Sequence, residues 1–259
     1  YSECEDDLNR ICTDIENCAG DTSIALSMIS DDSFYMEMKK DYAPEMVTAF
    51  IRLNGATVGC VANRSEVYTD GEKTATYDAA LTAAGCEKAA AFVNFCNAFE
   101  IPVLTLVNVD GYKNCKCNEK KIAKAAARLT YAFANADVPK VTVVVGKANG
   151  TAGLTMNSKS IGSDIVYAWK NAKIGVMEAA PAVKIMYADE IAKADNAAAL
   201  INEKAAQYNE MQASALAAAK RGYVDDIIEA SETRQRVVAA FEMLFTKRED
   251  RPSKKHGTI

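Results

Sequence analysis

A glycine-rich stretch that follows an apolar run is the part of the sequence with the clearest capacity for chemistry. Residues 141–145 are all Val except Thr142, which is typical of a strand buried on both faces. Gly146, Gly150 and Gly153 follow, and residues 154–160 predict a helix. A strand that turns through glycines into a helix directs unpaired backbone N–H groups at one point, where the helix dipole also favours negative charge. We therefore predict a site for an anion or an oxyanion.

This glycine pattern alone has little specificity, because loose glycine motifs have many false positives. The alternative is a turn that reverses the chain and binds nothing. No Gly-Lys-Ser/Thr follows the glycines, so the stretch is not a P-loop, and the spacing does not match a dinucleotide fingerprint. The class of ligand has to come from other residues.

Composition excludes several classes of function. The 259 residues are enough for one large domain or two small ones, and 49% hydrophobic with 25% charged residues is ordinary for a soluble globular protein. The net charge of −5 argues against nucleic acid and anionic membranes as partners. No apolar run approaches the ~18 residues of a membrane span, and the first residues lack the basic segment of a signal peptide. We expect a cytoplasmic protein.

Eight cysteines raise the question of disulfides or metal. No C-x-x-C pair occurs, and His256 is the only histidine. Cys115 and Cys117 form the one close pair, but two thiolates without further ligands make a poor metal site. We expect no metal and cysteines that are structural or incidental in a reducing compartment.

The elements that must position the glycine stretch follow an alternating order. Asn54-Gly55 predicts a hairpin, the patterns on either side of it predict strands, and the later segments alternate helix and strand. The predicted strands are 31–39, 47–53, 57–62, 101–109, 141–145, 164–169 and 173–177, and the predicted helices are 83–99, 120–136, 182–192, 196–219 (one or two) and 233–245. Residues 5–17 could form a helix, but they are polar on most sides, and we expect a solvated leading segment. The order indicates an α/β domain followed by helices.

Three groups of short motifs carry a resemblance to a known family. They are Arg52-Leu-Asn-Gly with Val58-Gly-x-Val-Ala-Asn63; Lys147-Ala-x-Gly150-x-Ala152 with Met156-x-Ser-Lys159, Asp164-x-x-Tyr-Ala-Trp169 and Ala172-x-Ile-x-Val-Met177; and Lys220-Arg-Gly-Tyr-Val-Asp with the basic tail at 247–257. Together they resemble the biotin-dependent acyl-CoA carboxyltransferase family, specifically the C-terminal half of the acyl-CoA carboxylase β subunit and related decarboxylase subunits. The resemblance covers about residues 25–259.

The resemblance implies a fold and an activity. The implied fold is a ClpP/crotonase-like spiral of ββα units with C-terminal helices, over residues 25–259, preceded by a leader over 1–24. The implied activity is transfer of a carboxyl group between carboxybiotin and the α-carbon of an acyl-CoA. Such chemistry needs backbone N–H groups where charge develops rather than a side-chain nucleophile. The C-terminal half of the family supplies the biotin side of the site.

The resemblance also assigns residues and partners. The backbone N–H groups of Thr151 and Ala152 correspond to the biotin oxyanion hole, Gly150 and Gly153 complete the biotin contact, and Gly111 and Leu154 fall at the acyl-CoA site. The implied partners are an N-terminal carboxyltransferase half, a biotin carboxyl carrier protein and acyl-CoA. The Ala-rich helices beyond residue 196 can pack closely on another subunit, so we also expect a homo-oligomer.

Departures from the family pattern leave alternatives. Thr151 replaces the second glycine of the motif, Gly153-Leu154 replaces Tyr-Asp, and Asp110 replaces the proline of a Val-Pro-Gly-Phe loop. One alternative is a non-catalytic assembly or regulatory subunit with a degenerate biotin site. A free-standing hydratase or thioesterase is less favoured, because no paired Glu carboxylates lie near the glycines. A lysine cluster is read either as a solvated helix face or as a binding site for CoA phosphates; its members are Lys113, Lys116, Lys120, Lys121 and Lys124.

Overall fold

The fold is built on a mixed sheet that passes through the middle of the chain. The computed structural model describes residues 4–69 and 71–249. The strands, in chain order, are β1 Tyr35–Glu37, β2 Met46–Leu53, β3 Ala56–Asn63, β4 Glu66–Thr69, β5 Glu72–Thr76, β6 Ala80–Leu81, β7 Val103–Val109, β8 Gly111–Tyr112, β9 Lys140–Asn149, β10 Ile165–Trp169, β11 Lys173–Gly175 and β12 Asp226–Ile228. The main sheet runs β1-β2-β3-β7-β9-β10-β12, with β11 also paired to β9.

The α-helices cover the two faces of this sheet and extend beyond its end. In chain order they are α1 Thr22–Ile29, α2 Ala83–Ala98, α3 Lys116–Asn135, α4 Gly150–Thr155, α5 Ala179–Met186, α6 Ala188–Lys193, α7 Ala197–Tyr208, α8 Ala215–Lys220 and α9 Thr233–Met243. Among residues 4–69 and 71–249, no helix combines the length and the apolar character that crossing a lipid bilayer requires.

The predicted hairpin at Asn54 and Gly55 is confirmed. β2 and β3 pair antiparallel from Met46 and Asn63 to Leu53 and Ala56. Asn54 and Gly55 have φ of 51° and 74°, as a two-residue turn between twisted strands requires. The hairpin brings β3 beside β7, from which point the sheet is parallel.

The predicted buried strand at 141–145 is also confirmed, as the middle of β9. Its backbone pairs in parallel with β7 on one side and β10 on the other, and Val141 and Val143 are fully buried. Each face of the sheet carries its own apolar cluster. One contains α2 and α3 residues such as Phe92 and Phe133, and the other contains residues of α1 and α9 such as Leu26. β9 is therefore fixed on both edges and both faces, which makes its carboxyl end a rigid base.

The prediction that residues 5–17 are solvated is wrong for Cys12 and Ile15, although Ile11 is exposed. Cys12 and Ile15 are buried in the same cluster as Leu26, and a 3-10 helix spans Ile15–Cys18. Arg10 Nη1 donates to the Met28 carbonyl oxygen at 2.9 Å, so a polar residue also ties the segment to α1. Only two side chains of this polar segment are buried in the cluster, which is too few to give a periodic hydrophobic pattern in the sequence. The division of the chain at residue 24 stays a prediction.

The C-terminal helices follow the predicted segments with different ends. α5 begins at Ala179, before Pro181, because a proline is tolerated in the first turn where its missing N–H has no helical partner. The predicted helix 182–192 is divided at Tyr187 into α5 and α6, and the predicted 196–219 into α7 and α8 with a π-helical turn, Asn209–Ala213, between them. The basic tail of the motif set lies largely in residues 250–259, outside the described residues.

Candidate functional site

A cavity of about 730 Å³ lies at the carboxyl ends of β7 and β9. α4 forms one wall and the segment from Asp110 to Tyr112 forms another; Val176, Tyr208 and Tyr223 also line it. The sequence-predicted site residues Gly111, Gly150, Thr151, Ala152, Gly153 and Leu154 all line this cavity. The structure thus brings together two segments that are about forty residues apart in the chain. Their roles stay predictions.

The strand turns into α4 at Gly150. Gly150 has a φ of +58°, and a Cβ at this position would lie 3.0 Å from the Val176 carbonyl oxygen, in the segment that follows β11. Gly153 packs on the end of β9, since a Cβ there would lie 2.7 Å from the Ala148 carbonyl carbon. Glycine at both positions lets the helix begin directly on the strand.

The predicted helix at 154–160 is wrong in its bounds. α4 begins four residues earlier, at Gly150, and ends at Thr155, with a separate 3-10 helix at Lys159–Ile161. The reason for the early end is Asn157, which has a φ of +54° and is fully buried. Its Nδ2 donates to Thr142 Oγ1 at 2.9 Å, so the chain leaves the helix where the Asn157 side chain is hydrogen-bonded in the core.

The start of α4 has no side-chain cap, although the residue at its N-cap is one that often caps. Asn149 occupies the N-cap and makes no capping hydrogen bond. Its Nδ2 instead donates to Asp110 Oδ1 at 3.1 Å. The first four N–H groups of a helix, counted from the N-cap residue, have no partner within the helix, and beyond the N-cap they belong here to Gly150, Thr151 and Ala152. Asp110 therefore holds the Asn149 side chain away from N–H groups that an anionic oxygen can use.

Asp110 is also part of a charged network beside the turn. Lys147 Nζ lies 3.0 Å from Asp110 Oδ2 and 2.8 Å from Glu178 Oε1. Partial burial lowers the pKa of Lys147, but the hydrogen bonds to Glu178 and Asp110 outweigh it and the pKa lies above its ordinary value. The same hydrogen bond from Lys147 lowers the pKa of Glu178. Lys147 is thus a fixed cation that joins the Asp110 segment to the end of β9.

The predicted site residues differ in how they face the cavity. Ala152 is only 1% exposed, so its backbone rather than its side chain is available, and Gly153 is buried as well. Thr151 is exposed and Leu154 is 46% exposed, so both side chains reach the open side of the cavity. Thr151 does not crowd the core. At the start of α4 the exposed side chains are therefore those of Thr151 and Leu154, whereas Ala152 and Gly153 are buried.

Several residues of the cavity were not predicted as site residues. Tyr112 is one, and its hydroxyl lies 3.1 Å from Thr155 Oγ1, which in turn donates to the Thr151 carbonyl oxygen at 2.9 Å. Arg221 and Gln212 also line the cavity. Arg221 donates through Nη1 to the Gln212 carbonyl oxygen at 3.0 Å and through Nη2 to Gln212 Oε1. Arg221 lies within a motif of the family resemblance, so a signal for it existed, whereas Gln212 lies in an Ala-rich helix without one.

The five lysines of the cluster are all exposed, as a solvated helix face requires, and none lines the cavity.

The cysteines that the structure describes form no disulfides, and Cys115 and Cys117 lie at the start of α3. Within residues 4–69 and 71–249, no group of three or more His, Cys, Asp or Glu side chains is arranged to hold a metal ion.

Comparison with known proteins identifies a family over almost the whole chain. The family described as Carboxyl transferase domain matches residues 3–259. Methylmalonyl-CoA decarboxylase subunit alpha of Propionigenium modestum is 39% identical over 270 residues, which cover 99% of this chain and 49% of that protein. The methylmalonyl-CoA carboxyltransferase 12S subunit of Propionibacterium freudenreichii subsp. shermanii is 40% identical over 240 residues, 92% of this chain and 44% of that protein.

A solved structure agrees with the sequence comparison. The transcarboxylase 12S crystal structure, a hexamer with methylmalonyl-coenzyme A and methylmalonic acid bound, superposes with a TM-score of 0.87 at 38% identity and covers 100% of this chain and 49% of that one. The predicted crotonase-like α/β fold is confirmed. The chain spans about half the length of the relatives that it matches.

Proposed function

The chain belongs to the carboxyl transferase domain family, and from this premise we propose that it forms the biotin half of a carboxyltransferase site. The reaction is transfer of a carboxyl group between carboxybiotin and the α-carbon of an acyl-CoA. Biotin supplies the carrier chemistry, and the chain supplies position and backbone dipoles. The N–H groups of Thr151 and Ala152 bind the ureido oxygen where negative charge develops.

The observation that carries the proposal is the uncapped start of α4. Asn149, which stands where a side chain commonly caps a helix, is hydrogen-bonded to Asp110 instead. The free N–H groups of the first turn face a cavity that is large enough for a bicyclic ligand. Donors that are fixed before the ligand arrives stabilise a developing oxyanion without reorganisation.

The replacement of the motif glycine by Thr151 is compatible with this role. A backbone N–H is present in threonine as in glycine, and the side chain at 151 points to solvent rather than into the core. Gly150, which has the positive φ and the close approach to Val176, is retained. The position whose backbone conformation requires glycine, residue 150, is therefore still glycine.

The acyl-CoA side of the proposed site is shared with a second half that this chain does not contain. We propose an N-terminal carboxyltransferase half as partner, a biotin carboxyl carrier protein as donor or acceptor, and a homo-oligomeric assembly. Gly111 and Leu154 contact the acyl group at the open side of the cavity. The relatives' names point to short acyl groups, so methylmalonyl-CoA and propionyl-CoA are the first substrates to test.

The experiment combines the purified chain with an N-terminal carboxyltransferase half and free biotin, and follows decarboxylation of methylmalonyl-CoA. We expect turnover that depends on biotin. Ala152→Pro removes one donor, and loss of one such donor costs about 3 kcal/mol of transition-state stabilisation, or a fall of about a hundredfold. Ala152→Gly keeps the N–H and is the matched control.

Thr151→Pro removes the other N–H donor, at an exposed position. It is the variant to use if Ala152→Pro does not fold. Circular dichroism and thermal unfolding establish folding for each variant. A folded proline variant with wild-type turnover contradicts the proposed oxyanion site and favours a non-catalytic assembly subunit.

A further inference from the structure

Cys115 and Cys117 form a close pair of thiols that the proposed carboxyl transfer does not use. The two Sγ atoms lie 3.0 Å apart on an exposed part of the surface. A disulfide has an S–S length of about 2.05 Å, so the sulfurs need to approach by about 1 Å to bond. No disulfide occurs among residues 4–69 and 71–249, so two thiols held this close form a ready dithiol.

The position of the pair favours the thiolate form of one member. Cys115 is the N-cap of α3, a helix of 20 residues, and Cys117 lies in its first turn. The start of a long helix stabilises a thiolate, as do neighbouring lysines, here Lys113 and Lys116. The hydrogen bond with Cys117 is the main cause of a lowered pKa of Cys115, and the Lys113 ammonium contributes to it.

The pair is held on a rigid frame. Asn118 is buried, its Nδ2 donates to the Lys113 carbonyl oxygen at 2.8 Å, and its Oδ1 accepts from the Ala83 N–H at 2.7 Å. The Lys113 N–H donates to the Leu81 carbonyl oxygen at 2.9 Å. These bonds anchor both sides of the dithiol to α2 and β6, so the thiols meet without a rearrangement of the chain.

The other six cysteines are different in kind. Cys12, Cys60, Cys86 and Cys96 are buried, and burial raises the pKa of Cys86 and of Cys96 to about 12. Cys4 and Cys18 are partly exposed, but burial raises the pKa of each, and their Sγ atoms contact the Asp6 carbonyl oxygen and Met28 Sδ rather than a second thiol. They serve as internal controls.

We propose that Cys115 and Cys117 form a thiol–disulfide exchange site for low-molecular-weight disulfides. The Cys115 thiolate attacks one sulfur of the external disulfide, forms a mixed disulfide and releases one thiolate. The Cys117 thiolate then attacks the Cys115 sulfur, forms the Cys115–Cys117 disulfide and releases the second thiolate. The protein loses two electrons and two protons, and the external disulfide is reduced to two thiols.

The test does not depend on carboxyl transfer. The reduced, folded chain is incubated with glutathione disulfide, quenched with acid, alkylated after denaturation and digested with trypsin. Cleavage after Lys113, Lys116 and Lys120 opens the ring, so the disulfide appears in mass spectrometry as peptides 114–116 and 117–120 joined until reduction. We expect this product to form about tenfold faster than any adduct on Cys4 or Cys18.

Two variants complete the test. Cys117→Ser is expected to stop at the mixed disulfide, with glutathione on Cys115, and the exposed position makes the change mild for folding. Cys4→Ser combined with Cys18→Ser is expected to react like the wild type. Absence of the joined peptides in the wild type, or of glutathione on Cys115 in Cys117→Ser, overturns the proposal.

Discussion

Asn149 donates from its Nδ2 to Asp110 Oδ1 at 3.1 Å, and this bond keeps the N-cap side chain of α4 off the N–H groups behind it. Asp110 stands where the related motif has proline, which lacks any side-chain acceptor. The opposite oxygen of Asp110 binds Lys147 at 3.0 Å. One carboxylate thus fixes both the cation beside the turn and the amide at the helix start.

We predict that Asp110→Ala lowers turnover because it frees Asn149 to cap α4. An N-cap hydrogen bond contributes about 1 kcal/mol, and a ligand that must displace it binds about fivefold more weakly. Turnover with free biotin and the partner half, as a function of biotin concentration, measures the effect. Asp110→Ala combined with Asn149→Ala has no side chain to cap the helix and is expected to recover most of the loss.

Glu178→Gln is the control for the Lys147 ion pair, since Glu178 contacts Lys147 but not Asn149. It is expected to change turnover by less than about twofold, as exposed ion pairs contribute little. If Glu178→Gln and Asp110→Ala reduce turnover equally, the capping argument is wrong and the charge of the network is responsible.

We predict that Leu154→Asp changes acyl-CoA preference. The side chain is exposed at the open side of the cavity, so the change costs little stability. A new carboxylate near the acyl group alters selection between malonyl-CoA and methylmalonyl-CoA, which differ by one methyl, a difference worth about 1–3 kcal/mol at most in an apolar site. The ratio of kcat/KM for the two substrates is the measurement. Leu154→Asn, equal in shape to Asp but uncharged, separates charge from size; an unchanged ratio in Leu154→Asp removes residue 154 from the acyl site.

We predict that Gly153→Ala destabilises the protein by about 1–3 kcal/mol, the usual cost of forcing a methyl group into a packed site. Its Cβ would lie 2.7 Å from the Ala148 carbonyl carbon, which is backbone and has little freedom to move. Gly111→Ala is the matched control on the other wall of the cavity, because nothing lies within 4 Å of a Cβ there. Urea unfolding of both variants makes the comparison, and equal stabilities contradict the close packing of α4 on β9.

The sequence predicted the elements better than the connections between them. Asn54-Gly55 predicted its hairpin and residues 141–145 their buried strand, because turn chemistry and β-branched runs are local signals. The helix predicted to begin at residue 154 begins at Gly150, since only the tertiary contact with Val176 shows that Gly150 is the turning point. β12 was missed because three residues give no period to detect, and its identity as a strand comes from parallel pairing with β10.

The residues of the candidate site also fall into two groups, those with a local sequence signal and those without one. A motif of a few residues predicts Gly150, Thr151 and Ala152 as site residues, and all three line the cavity. The bond between Asp110 and Asn149 joins positions 39 residues apart, and neither residue alone indicates it. Arg221 and Gln212 reach the cavity only because helices beyond the sheet fold back across it. Long-range contacts of this kind are absent from any single-sequence pattern.

Lys88 provides a pH-dependent test of the packing between α2 and the hairpin. The side chain is 2% exposed, and its Nζ donates to the Met46 carbonyl oxygen at 2.7 Å and to the Ala43 carbonyl oxygen at 3.3 Å. Burial lowers its pKa from 10.5 to about 8, despite the opposing effect of Glu37. The ammonium is therefore less stable in the folded protein than in water, and the neutral amine is favoured by folding.

The sign of the pH effect follows from proton binding. Between about pH 8 and 10.5 the unfolded chain holds a proton on Lys88 that the folded chain has lost, so the free energy of unfolding rises with pH in this window. The contribution is fully present above about pH 10.5 and is lost as the pH falls to about 8. A shift of this size corresponds to about 3 kcal/mol.

We predict that the difference in unfolding free energy between the wild type and Lys88→Met increases by up to about 3 kcal/mol from pH 8 to 10.5. Methionine keeps the length of the side chain without the amine, and the unpaired carbonyl oxygens that it leaves carry a cost that does not vary with pH. Every other titratable group is common to both proteins, so its contribution cancels in the difference. Urea unfolding at several pH values, with reductant present, gives the curve. A difference that stays constant shows that Lys88 keeps its ordinary pKa in the fold and reaches water there.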